Sequence, residues 1–216
     1  MAADPSFWAS IAPSVVSAIS GLLGVRLGGE LTERREAAKE ASLAKREASY
    51  LAILVVAHLD RYATGCLHVA YDDGTSEGSP AGGDGQFHQT TVTPPTFDPL
   101  SLQVDWKVLP VDLMYSVLNL PYKAEQLANH LASAYEYDDY PDFTDFFWAR
   151  QHGYAVLGLE VSALARKLRL HAGLPLGNHA QGEWDRDTAL RELKESIEAK
   201  RTAREARVAS LPKSVL

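Results

Sequence analysis

Cysteine is almost absent from this chain: Cys66 stands alone among 216 residues. A single thiol excludes an internal disulfide framework and suits a reducing compartment. Paired-cysteine zinc spacings, a Gly-Lys-Ser/Thr phosphate loop, a dinucleotide glycine fingerprint and an HExxH signature are missing as well. Basic charge is scarce. Lys and Arg total 21 against 28 Asp and Glu, a net charge of −7. That balance argues against general nucleic-acid binding, which needs a basic face.

Charge of either sign is missing from Phe7 to Val25, 19 residues. Small residues recur inside this run and just past it, at Ser10, Ser14, Ser17, Gly21, Gly24 and Gly28. On a helix they form one stripe, with Ile11, Val15, Ala18, Ile19, Leu22 and Leu23 on the other side. A helix that is apolar outside and small along one seam predicts a membrane span packing against copies of itself. Phe7 and Trp8 sit where an interfacial aromatic anchor belongs, and Arg26 closes the far end. Lys and Arg are absent before the span and follow it at Arg26, Arg34, Arg35 and Lys39. The positive-inside rule then puts the N-terminus outside and the body in the cytoplasm. A basic start, which a cleaved signal peptide needs, is missing. The competing explanation is a packing helix of a soluble assembly. Copies closing around a pore lined by Ser10, Ser14 and Ser17 is a further one, without gating or selectivity residues to support it.

The remaining chain reads as helices with one interruption. Residues 27–49 are dense in Arg, Lys, Glu and Ala, and predict a solvated stem helix or tight coiled coil. Pairs Glu30–Arg34 and Glu36–Lys39 have favourable spacing. From Tyr50 the apolar content rises. Leu51, Leu54, Val55, Leu59, Tyr62, Cys66 and Val69 keep a 3-4 spacing and predict entry into a packed domain over 50–184. Residues 72–105 break the pattern. DDGTSEGSPAGGDG predicts a loop. The Pro-rich stretch after it predicts an extended run packed by Phe97, Leu100, Leu102 and Trp106, with a short hairpin as the other option. Helical signals resume at Pro110, break at Pro121, and return from Asp142 to His171 until Gly173 and Pro175 stop them. A charged last helix, Asp187 to Ala209, is expected within 185–216. It is about 34 Å long, enough to run back along the stem and bring Lys200, Arg201, Arg204, Arg207 and Lys213 toward anionic lipid.

Candidate sites outside the first helix are few. The run from Tyr135 to Phe143 places Glu136, Asp138, Asp139 and Asp142 among tyrosines, as a docking turn for a basic partner. Its structural alternative is a helix end, with Asp142 as a cap and Asp145 in the first turn. Histidines occur at 58, 68, 88, 130, 152, 171 and 179. They form no i, i+4 pair and no Glu-x-x-His motif, so no metal and no cofactor is expected. Nothing assigns a nucleophile, base or electrophile, so an enzyme is not expected.

The segments LLGVRLG, LTERREAAKE, VDWKVLP, LPYKAEQ, EYDDYPDFTDFF and YAVLGLE together resemble small bacterial or prophage-borne proteins with an N-terminal hydrophobic helix and a helical body. That resemblance implies a membrane-anchored protein of a bacterial inner membrane and carries no activity or site residues with it. The expected fold is all-α: a membrane helix (1–26) continuous with the stem, then an antiparallel bundle with an irregular Gly/Pro-rich insertion. The expected role is a structural or interaction subunit, homo-oligomeric, in contact with membrane lipid and a protein partner. A phage-related pore former and a soluble ligand- or metal-binding bundle are the alternatives.

Overall fold

The computed structural model describes the backbone of residues 5–176 and 184–210, with side chains from residue 33 onward in those ranges. The chain divides into two compact units, Met1–Glu47 and Ala48–Leu216. Most of it is helical, in keeping with the all-α expectation. Helix α1, Pro5–Tyr71, contributes its earlier part to the first unit and its last part to the second.

In the first unit, every residue from 33 to 47 is exposed. Arg, Glu, Ala and Lys are good helix formers, so the helix persists there without an apolar face to bury. Glu36 and Lys39 make no ion pair, although their spacing allows one. The seam residues Ser10, Ser14, Ser17, Gly21, Gly24 and Gly28, and the anchors Phe7, Trp8 and Arg26, lie outside the residues described with side chains. Among the residues that are so described, no helix is long and apolar enough to cross a membrane.

The second unit is a helical bundle. The last part of α1 buries Leu51, Val55, Leu59, Tyr62, Cys66 and Val69, the residues that the 3-4 spacing selects. Helix α4, Thr144–Ala172, buries Phe147, Tyr154, Leu157, Val161, Leu164 and Leu168 along its length. It ends as Gly173 and Pro175 predict. Gly173 takes the left-handed conformation, φ 65°. Its N–H donates to the Leu170 carbonyl (3.2 Å), and the Leu174 N–H donates to that of Arg169 (2.8 Å). This is the Schellman pattern that satisfies a helix's last carbonyls. Helices α2, Val111–Leu118, and α3, Leu120–Glu136, are separated at Asn119. Pro121 in the first turn of α3 has no N–H to continue the preceding helix.

Helix α5, Arg186–Ser210, packs on α4 through Leu190 and Ile197. Its first residue, Arg186, bonds to Asp60, whereas Arg201 meets Asp145 at the start of α4. The helix therefore runs antiparallel to α4, and its basic end lies by Asp145 and Tyr71. The physical reason is charge pairing: Asp60 also holds Arg169, and Asp145 also holds Arg204.

The insertion after α1 is folded onto the bundle. Strands β1, Thr75–Ser76, and β2, Ser79–Pro80, form a two-residue hairpin. Its central residues, Glu77 and Gly78, both have positive φ (52° and 81°), as a type I′ turn requires. Farther on, Phe97 packs on Tyr62 with ring centroids 6.0 Å apart. Val92, Leu102 and Trp106 are partly buried against the core. Leu100, expected to pack, is 78% exposed. It lies in the short 3-10 turn Pro99–Ser101, in which Pro99 takes the buried position instead.

Candidate functional site

The most buried polar feature of the bundle is a pair that sequence reasoning missed. Asp72 and Arg150 form an ion pair of 2.7 Å with side chains 0% and 3% exposed. Asp72 comes directly after α1, and Arg150 lies one turn and a half into α4. The carboxylate also accepts from Gly74 N–H (3.1 Å), Thr91 N–H (2.9 Å), the Thr91 hydroxyl (2.8 Å) and Val92 N–H (3.0 Å). Arg150 donates in turn to the carbonyls of Val69 and Val92, at 3.4 and 2.5 Å. Burial by itself pushes the Asp72 carboxyl upward. The Val92 N–H, the Thr91 hydroxyl, the Gly74 N–H and the Arg150 charge outweigh it and hold the carboxyl below its ordinary range. The network joins both ends of the 72–92 stretch to α4, which is why so glycine-rich a segment is fixed. Its sequence signal is slight: between Phe146 and Leu159, Arg150 is the only Asp, Glu, Lys or Arg.

The acidic-aromatic turn is likewise a built structure. Asp138 accepts from Phe146 N–H (2.7 Å) in the first turn of α4 and from its neighbour Asp139 N–H (2.8 Å). Asp138, and not Asp142, therefore supplies the capping oxygen. Phe143, which precedes the helix, is left-handed at φ 46°, and its N–H donates to the Asp139 carbonyl. Tyr135 stacks on Phe143 at 4.8 Å and meets Phe146 edge-on at 5.2 Å. The Tyr140–Pro141 peptide bond is cis. This packing leaves Glu136, Asp139, Tyr137 and Tyr140 on the surface, Tyr137 at 81% exposure.

Asp142 lines a cleft of about 750 Å³ between the start of α4 and the end of α5. Its floor is apolar: Phe147 and Ile197 are buried, with Trp148 and Leu193 beside them. Gly74, at φ 79°, lies against the Phe147 ring, where any Cβ would clash. Trp148 stacks with His152 (5.3 Å, 5° between planes), and Arg201 covers the indole at 4.8 Å. Both partners are pinned: His152 by Glu198 of α5 at 2.9 Å, and Arg201 by Glu205 of its own helix and Asp145 of α4. Hydrogen bonds from Lys194 and then His152 hold the Glu198 carboxyl below its usual range.

Cys66 is not a candidate nucleophile. Burial pushes its thiol up to about 12, with Arg186 only partly opposing, so it is protonated at neutral pH. The buried hydroxyls of Tyr62 and Tyr154 are raised for the same reason. Among the described residues no group of three or more His, Cys, Asp and Glu is arranged to hold a metal ion. The arrangement thus defines a helical bundle with a buried ion-pair network, an exposed turn packed on its own aromatic rings and an adjoining cleft. Comparison with protein-family models, with curated proteins and with solved structures finds no match.

Proposed function

We propose that this chain is a membrane-anchored, non-enzymatic subunit of a bacterial inner-membrane assembly, which self-associates through its first helix and presents its bundle to a protein partner in the cytoplasm. The observation that carries the reading is the contrast within α1. Residues 33–47 are exposed on every side, whereas residues from Leu51 onward form a core. A helix that is polar all round and belongs to no core suits a spacer. The uncharged Phe7–Val25 run precedes it, with the small-residue seam that membrane helices use for close approach. The exposed turn bearing Glu136, Asp139 and Tyr137 supplies an acidic, aromatic docking surface, a composition that suits a basic partner.

Light scattering of the detergent-solubilised full-length chain tests self-association. The native chain should be oligomeric, and the G21L/G24L variant should shift to monomer. A monomeric native chain contradicts the reading. Dye leakage from liposomes that disappears in the same variant would instead favour a pore.

A further inference from the structure

The cleft between α4 and α5 has a charge arrangement that neither the turn nor the anchor explains. Most of its charged lining is already paired. Arg201 is held by Asp145, Glu205 and the Trp148 ring. Arg204 reaches Asp145 at 3.4 Å. Asp73 accepts from the N–H and hydroxyl of Thr75 at 3.0 and 2.7 Å. His88 is tied to the Asp73 carbonyl and rests edge-on against Phe147. Among the described lining residues, two opposite charges remain without a protein partner: Lys200 on α5 and Asp142 on the turn before α4. They do not pair with each other. The same cleft is lined by the apolar Phe147, Trp148 and Ile197, and by Gln151, whose amide has no protein partner.

We infer that this cleft binds a short apolar peptide with free ends. A carboxylate would pair with Lys200 and an ammonium with Asp142. Apolar side chains would cover the floor, and Gln151 would meet a peptide amide. About 750 Å³ is ample for such a ligand and lies within the range of small-molecule sites. A simple anion would meet Asp142 unpaired, and a simple cation would meet Lys200 unpaired. A ligand bearing both charges gains a charge-assisted contact at each end, where a simple ion gains one.

Titration calorimetry on the full-length chain tests this with three probes: the dipeptide leucyl-phenylalanine, its N-acetyl derivative and its C-terminal amide. Leucyl-phenylalanine should bind saturably, and each blocked form should bind about tenfold more weakly, the worth of one charge-assisted hydrogen bond. In K200Q the free dipeptide should lose its advantage over the amide. In D142N it should lose its advantage over the N-acetyl form. Both positions are exposed, so each variant should melt with the native chain, which separates lost binding from lost folding. The inference is overturned if no saturable heat appears up to about 10 mM. It is equally overturned if a blocked dipeptide binds as tightly as the free one, or if both variants bind like the native chain.

Discussion

Replacing Asp72 by Asn should remove more stability than any other isosteric change in the bundle. In the native network Oδ1 accepts from Gly74 N–H and the Thr91 hydroxyl, and Oδ2 from Thr91 N–H, Val92 N–H and Arg150. Asparagine turns one of these oxygens into an NH₂ group, so at least one backbone N–H then faces a donor. Arg150, 3% exposed in its side chain, keeps its charge and loses its counter-charge. Removing one partner of a buried pair costs about 3–5 kcal/mol, and each orphaned group about 1–3 kcal/mol. The expected loss is therefore about 3–5 kcal/mol at neutral pH, or roughly 6–20 °C in Tm for a domain of this size. Urea unfolding followed by circular dichroism measures it. Hydrogen exchange should show protection lost first over residues 72–92. The acid limb gives a second readout. Because the folded carboxyl is depressed, its contribution is present above the unfolded value near ~3.9 and vanishes as pH falls through the folded value. Wild-type stability should fall on that limb, and the D72N curve should lack this component. A loss below about 1 kcal/mol, with the acid limb unchanged, would refute the view that this pair fixes the insertion.

Three further outcomes follow from the packing. L190A should cost about 2–5 kcal/mol, since Leu190 is fully buried on the inner face of α5 and its loss leaves a cavity against Gly158; thermal melts measure it. G65A should cost about 1–3 kcal/mol, because a Cβ there would come within 2.6 Å of the Pro95 Cβ; loss of exchange protection across 88–98 should accompany it. Native Cys66 should resist thiol reagents at pH 8, being buried with its thiol pushed up to about 12, and should react stoichiometrically in denaturant; rapid labelling of the native chain would contradict its placement.

Periodicity carried the helices because burial in a bundle obeys it. Leu51, Val55, Leu59, Tyr62 and Cys66 repeat every three or four residues, and all five are buried. Gly173 and Pro175 marked the end of α4 because only a left-handed residue closes a helix there. The insertion was less legible. Its order comes from Asp72 and Arg150, 78 positions apart, and no local pattern links them. The course of α5 rests on pairings that are likewise long-range. Asp60 and Asp145 hold its two ends, and both are distant from it in sequence. In the turn, a cap was legible but its bearer was not. The left-handed Phe143 swings the chain so that Asp138, four residues before Asp142, reaches the Phe146 N–H.

Alkaline carbonate fractionation of membranes bearing the full-length chain, beside a chain starting at Leu27, tests the anchored reading most directly. The account predicts that the full-length chain stays in the pellet and that the shortened one washes into the supernatant. If both wash out, Phe7–Val25 is a packing helix of a soluble assembly, and the anchored-subunit proposal is contradicted.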